Sequence, residues 1–160
     1  MARYVFYSFH YQKDISRVMV VRNRWVTHKD QMASGIIDHA DFEKLQRKGN
    51  KAVENWIDKQ MEGTTATIVL IGEETLKRPY VQYEIKESIR RGNAVIGVYI
   101  NKLKDFAEKT SKACSAHTEI GKNYNGTPVY FDEIAAGIYD YVDNDGYNNL
   151  GKWVEVAVED

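Results

Sequence analysis

Three unbroken apolar runs constrain the fold of this chain more than any other feature. They occupy residues 4–9, 67–71 and 94–100. None of them alternates apolar with polar residues, which is typical of strands buried on both faces of a parallel sheet. Two weaker strands are predicted at 35–37 and 128–131, which gives a sheet of five strands.

Segments with helical spacing separate these strands. Apolar residues recur three and four positions apart over 53–61 and again over 81–89. Residues 18–25 also favour a helix, although their β-branched valines are compatible with a strand. Two more helices are predicted at 133–141 and 147–154. The alternation predicts an α/β domain: a doubly wound, mostly parallel five-stranded sheet flanked by helices.

Length and charge limit the classes of function. The 160 residues fit one domain, in which only 101–127 lacks a clear period. Lys and Arg together number 22 against 23 for Asp and Glu, so we expect neither nucleic acid nor a membrane as a partner. The single Cys114 permits no internal disulfide, and the N-terminal segment lacks a signal-peptide core. A cytoplasmic location is therefore expected.

The sequence also offers no pattern for a metal or a bound redox cofactor. The four histidines, at 10, 28, 39 and 117, lack metal-ligand spacing. The Asp145-Gly146 pair is typical of calcium loops, but the other ligand positions of such a loop are missing. These spacings predict no metal site. Because no Gly-rich phosphate loop follows the first strand, we also predict no permanently bound dinucleotide.

Two segments lie where parallel sheets bind ligands, beyond the carboxyl ends of the strands. The first is the polar and aromatic stretch at 7–11, and the second runs from 71 to 85 into a predicted helix. Within the second segment, Tyr80 stands four residues before Glu84.

These segments resemble the TIR-like proteins of bacterial Thoeris antiphage systems. TIR domains carry an aromatic residue four positions before a helical glutamate, as Tyr80 and Glu84 do here. The stretches at 7–11, 20–27 and 145–154 are similar to the sensor subunits of those systems. The usual Ser-x-Trp is replaced by Arg-Pro-Tyr. The resemblance implies one TIR-like domain over 1–160, with a variable loop insertion at 101–127.

The resemblance also implies a function. Proteins of this kind cleave NAD at the nicotinamide–ribose bond and make a cyclic or rearranged ADP-ribose signal for a separate effector protein. NAD would then be a consumed substrate rather than a cofactor, and the chain would form a homo-oligomer, with 38–49 as a candidate contact. The enzyme class implied is an NAD glycohydrolase or ADP-ribosyl cyclase.

Glu84 is the catalytic residue that this resemblance implies. A carboxylate beside the ribose stabilises the oxocarbenium character that develops as nicotinamide leaves. Its position is about 100° from the centre of the Val81/Ile85/Ile89 stripe, at the edge of the buried face of the helix. Without the resemblance, a solvated helix glutamate is the simpler interpretation.

Seven further residues are predicted to bind the substrate. The serine hydroxyl reaches phosphate or ribose, the adjacent ring side chains stack on a base, and the arginine and asparagine reach the diphosphate. Core packing, loop capping and surface salt bridges are the respective alternatives, and Arg78 carries the same ambiguity between a diphosphate contact and a surface salt bridge. The seven residues are Ser8, Phe9, His10, Tyr11, Arg22, Asn23 and Tyr80.

A different class of function remains open. Many TIR or flavodoxin-like domains are non-catalytic interaction modules, and the fold alone does not decide between them and an enzyme. A phospho-acceptor receiver domain is disfavoured, because the first strand ends in Ser8-Phe9-His10 rather than in acidic residues.

Overall fold

The computed structural model of the chain describes residues 3–27, 32–33 and 39–159. Its strands are β1 (Tyr4–Ser8), β2 (Met32–Ala33), β3 (Ala66–Ile71), β4 (Ala94–Tyr99), β5 (Glu119–Lys122), β6 (Pro128–Tyr130) and β7 (Gly137–Asp140). Its helices are α1 (Ile15–Thr27), α2 (His39–Arg47), α3 (Asn50–Met61), α4 (Pro79–Arg90), α5 (Phe131–Ile134) and α6 (Gly146–Glu159), with a 3-10 turn at Thr75–Lys77.

The central sheet has the strand order β2-β1-β3-β4-β7, and every pair in it is parallel. Four strands form its body, and the two-residue β2 extends it to five. All six residues of β3 are buried, which explains its unbroken apolar sequence. The predicted doubly wound α/β fold is confirmed. The strand predicted at 35–37 lies outside the described residues.

Helices cover both faces of the sheet. The helices α1 and α6 pack against each other on one face, while α3 and α4 pack together on the other, with α2 against α3. Right-handed crossovers place successive helices in this way in parallel sheets. The carboxyl ends of β1 and β3 therefore meet the start of α4 at one edge.

One prediction near the C-terminus is wrong, and another is confirmed as a strand but not as part of the main sheet. The segment predicted as a helix at 133–141 contains only the last residues of α5, and Gly137–Asp140 is instead the edge strand β7. The strand predicted at 128–131 is β6, but it pairs antiparallel with β5 outside the main sheet. Packing explains β7: it supplies hydrogen-bond partners to β4, and the ring of Tyr139 stacks on Trp153 at 4.2 Å.

The predicted helices at 18–25, 53–61, 81–89 and 147–154 are confirmed within α1, α3, α4 and α6. However, α4 is rotated relative to the expected apolar stripe. Ile89 is 48% exposed. The residues of α4 that are buried are Val81, Glu84, Ile85 and Ser88.

A polar layer therefore lies between α4 and the sheet. Ser88 Oγ and Thr67 Oγ1 are 2.6 Å apart, and Ser88 also donates to the carbonyl oxygen of Glu84 at 2.7 Å. These bonds satisfy hydroxyls that burial would otherwise leave unpaired. The same layer contains the carboxylate of Glu84.

Candidate active site

The Ser8–Glu84 pair is the centre of the candidate site. Ser8 is the last residue of β1, and Glu84 lies in the second turn of α4. Ser8 Oγ donates a hydrogen bond to Glu84 Oε1 at 2.8 Å, and both side chains are fully buried. Glu84 Oε2 has no partner among the described residues. A buried acceptor without a donor is costly, so this oxygen is available to a hydroxyl of a ligand.

Burial is the main influence on the pKa of the Glu84 carboxyl group. It raises the pKa of Glu84 to about 8, and the hydrogen bond from Ser8 acts in the opposite direction. Glu84 is therefore mostly protonated near neutral pH in the unliganded protein. The expected position at the edge of the buried face is wrong, because the carboxyl group is 0% exposed.

Aromatic rings enclose an inner cleft at the end of β1. The ring of Tyr11 stacks on Phe42 at 4.3 Å and is 4.4 Å from Phe9, while Tyr80 meets Phe42 edge-on at 5.8 Å. The cleft has a volume of about 30 Å³. Burial, and then the nearby Glu84, raises the pKa of Tyr11 well above its usual value. Tyr11 thus lies close to the carboxyl group.

Four of the predicted binding residues line this inner cleft: Phe9, His10, Tyr11 and Tyr80. Five others that line it were not among the predicted site residues: Gln12, Phe42, Gln46, Arg78 and Val81. The substrate contacts of the four predicted residues remain predictions. Because Ser8 bonds directly to Glu84, its geometry supports orienting the carboxylate more than contacting phosphate.

His10 carries unsatisfied hydrogen-bonding capacity into the cleft. It is 7% exposed, and neither ring nitrogen has a partner among the described residues. Burial and then the guanidinium of Arg78 lower its pKa, with Lys13 acting in the same direction and Glu74 opposing them. The ring is therefore neutral at pH 7, with one donor and one acceptor free.

An outer groove continues from the inner cleft. It has a volume of about 410 Å³, and Arg78 and Tyr80 border both spaces. The phenol of Tyr80 donates to Asn50 Oδ1 at 2.9 Å, which fixes the ring between the two. A volume of this size falls in the range of small-molecule sites, whereas the inner cleft holds about one water molecule.

Arg22 and Asn23 lie away from both the inner cleft and the outer groove. Both lie in α1, and neither lines the cleft or the groove. Arg22 lies near the buried phenol of Tyr7, whose pKa it lowers against the larger effect of burial. Their predicted contact with the diphosphate therefore remains a prediction without support from the geometry.

A known protein family matches more than half of this chain. A family model described as "Thoeris protein ThsB, TIR-like domain" matches residues 6–105, which extend from β1 past β4 and include Ser8 and Glu84. The chain belongs to this ThsB family.

A curated relative of this ThsB-family chain supports the assignment over a longer stretch. It is a Bacillus cereus (strain MSX-D12) protein named "Putative cyclic ADP-D-ribose synthase ThsB1". The two are 34% identical over 191 aligned positions, which cover 96% of this chain and 100% of the relative. The similarity therefore extends beyond the family match, into the C-terminal region that contains β7 and α6.

The 101–127 segment of this ThsB-family protein is tied to the same end of the sheet. Arg17 Nε donates to the carbonyl oxygen of Leu103 at 2.7 Å, and its Nη2 donates to that of Lys109 at 2.8 Å. The buried Asp14 pairs with Arg17 at 3.3 Å. Asp14 also packs so closely on Gly72 that a Cβ there would lie 2.7 Å from its Oδ1. A larger residue at this turn after β3 would therefore require the buried carboxylate of Asp14 to shift.

Within residues 3–27, 32–33 and 39–159, no group of three His, Cys, Asp or Glu side chains is placed to hold a metal ion. None of the helices in these ranges is long and apolar enough to span a membrane.

Proposed function

We propose that this protein cleaves the nicotinamide–ribose bond of NAD and converts the ADP-ribose part into a cyclic or rearranged nucleotide signal in antiphage defence. The observation that carries the proposal is the buried Glu84, held by Ser8 and with one oxygen free, beside a cleft lined by aromatic rings. The membership in the ThsB family and the name of the Bacillus cereus relative support the same reaction.

The chemistry follows from the position of the carboxyl group. As nicotinamide leaves, the ribose gains oxocarbenium character, and an ionised Glu84 stabilises it more strongly in a dry site than in water. Oε2 accepts a hydrogen bond from a ribose hydroxyl, while Ser8 holds Oε1. The hydroxyl contact favours the ionised carboxylate and so opposes the effect of burial on its pKa.

The closed cleft influences which product forms. The stacked Tyr11 and Phe42 leave room for about one water molecule, so NAD has to displace one or both rings to reach Glu84. A site that closes again over the ribose excludes bulk water. An internal nucleophile of the substrate then competes better with hydrolysis, which favours cyclisation.

We also propose that the product reaches a separate effector protein and that the chain self-associates. The direct test is to incubate the purified protein with NAD, alone and with lysate of phage-infected cells, and to analyse the products by mass spectrometry. Released nicotinamide and a nucleotide of ADP-ribose composition would support the proposal. A folded, self-associating protein that leaves NAD intact under both conditions would favour a non-catalytic interaction module.

Ser8→Ala is expected to lower NAD cleavage about three- to tenfold at pH 7 and to move the rise of activity to higher pH. The variant removes the one side-chain hydrogen bond that stabilises the ionised Glu84 among residues 3–27, 32–33 and 39–159, so the carboxyl group is protonated over a wider pH range. The measurement is kcat/KM for NAD between pH 6 and 9.5.

Ser88→Ala is the matched control for this prediction. It also removes a buried hydroxyl, but one that pairs with Thr67 and not with the carboxyl group of Glu84. We expect reduced stability and an unchanged pH profile. If the two serine variants shift the profile equally, Ser8 has no specific role in holding the carboxylate.

A further inference from the structure

Arg78 is placed to bind an anion. It is the N-cap residue of α4 and borders both the inner cleft and the outer groove. Its guanidinium forms no ion pair with any residue of the described ranges. Glu74, a carboxylate on which its charge acts, pairs instead with Lys13. The positive charge is therefore left for a ligand in the cleft.

The first turn of α4 adds to this positive potential. The helix has 12 residues, begins with Pro79, has no side-chain cap and carries no acidic residue in its first turn. The backbone N–H groups of Tyr80 and Val81 have no partner within the helix. The positive end of the helix dipole thus faces the cleft that Tyr80 and Val81 line.

His10 is an independent sign of a ligand at the same place. A buried imidazole with two unpartnered nitrogens is unfavourable unless something binds to it. Its ring lines the inner cleft together with Arg78. Four donor groups therefore lie at the N-terminal end of α4: the guanidinium of Arg78, the imidazole of His10 and the backbone amides of the two residues after Pro79.

We propose that Arg78, His10 and the first turn of α4 bind the diphosphate of the dinucleotide substrate. This inference rests on the proposed function. Glu84 is six residues farther along α4, about 9 Å by helix geometry. A ribose attached to a diphosphate at Arg78 extends from the first turn toward that carboxylate. The outer groove, on the other side of Arg78, then receives the rest of the nucleotide.

This assignment differs from the one that the sequence suggests, in which Arg22 and Asn23 reach the diphosphate. Arg22 lies beside Tyr7 and lines neither space. The two assignments are separable, because one arginine can be changed without the other.

The test is calorimetric titration of the full chain with sodium pyrophosphate at pH 7. We expect Arg78→Gln to weaken binding about 10- to 100-fold, since it removes a charge-assisted bidentate contact. Arg90→Gln, at the exposed far end of α4, is the matched control and should bind as the wild type does. In NMR spectra, pyrophosphate should shift the ring nitrogens of His10 and the amides of Tyr80 and Val81.

Three results would contradict an anion subsite at Arg78. Absence of pyrophosphate binding to the wild type, equal binding by Arg78→Gln, or loss of binding in Arg22→Gln alone would overturn it. In steady-state assays Arg78→Gln should raise KM for NAD with kcat nearly unchanged. If NAD is not converted but pyrophosphate binding still depends on Arg78, the anion subsite stands and the proposed function fails.

Discussion

Glu84→Gln is expected to lower nicotinamide release from NAD by about 100- to 1,000-fold. Glutamine keeps the size of the side chain and still accepts the hydrogen bond from Ser8 through its oxygen. It cannot become negative, so it offers no charge to the developing oxocarbenium ion. Removing one preorganised electrostatic group of this kind costs about 10²–10³ in kcat or more. The measurement is nicotinamide release, quantified by chromatography at saturating NAD.

Glu87→Gln provides a matched control in the same helix. Glu87 pairs with Arg90 at 2.7 Å toward the C-terminal end of α4 and does not line the cleft. We expect its kcat to stay within about twofold of the wild type, because the lost ion pair lies away from the cleft and contributes little free energy. If Glu84→Gln retained more than a tenth of the wild-type rate, a different residue would have to stabilise the ribose.

The parallel sheet could be predicted because its central strands are buried on both faces. Helices cover β3 and β4 on either side, so their sequences are continuously apolar and cannot be confused with solvent-exposed segments. The helix α3 was equally clear, since its buried residues Val53, Ile57 and Met61 follow helical spacing.

The edge strand β7 could not be predicted for a physical reason. Ile134, Ile138 and Tyr141 are four and three residues apart, which fits a helix as well as any segment of the chain. What selects the strand is the free edge of β4 and the stacking of Tyr139 on Trp153. Both depend on contacts between distant parts of the chain, which local spacing does not contain.

The sequence predicts which residue is the candidate catalytic group, but not how deeply that residue is buried. The resemblance points to Glu84, whereas the Val81/Ile85/Ile89 stripe places it at the edge of the buried face. In the structure Glu84 and Ser88 are buried and Ile89 is half-exposed, because hydroxyl groups of the sheet satisfy the polar residues. Spacing alone cannot reveal a buried polar layer, because partner residues come from other strands.

The cleft-closing residue Phe42 was missed because α2 gives a weak signal. The helix is short and rich in charged residues, and only the packing of Phe42 on Tyr11 and Tyr80 shows that it reaches the site. Aromatic pairs of this kind stabilise by about 0.5–1.5 kcal/mol beyond their burial. Opening the cleft therefore has a modest cost that binding of a nucleotide can offset.

The burial of Glu84 predicts a pH dependence of stability that the Glu84→Gln variant should lack. The pKa of Glu84 is about 8 in the folded protein against an ordinary value of 4.5. Between these values the folded protein holds a proton that the unfolded chain has released. The stability that this proton provides is fully present below pH 4.5 and is lost as the pH rises through about 8. The loss is on the order of 4–5 kcal/mol.

The measurement is urea denaturation of both proteins from pH 4.5 to 9. The difference between their free energies of unfolding isolates Glu84, because the other buried acids, such as Asp14, titrate in both proteins. Relative to the variant, the wild type should lose stability steadily across this range, and NAD should restore part of it at high pH. A constant difference would mean that Glu84 is solvated in solution. The cleft would then be open at rest, and closure by Tyr11 and Phe42 could not be what keeps water from the ribose.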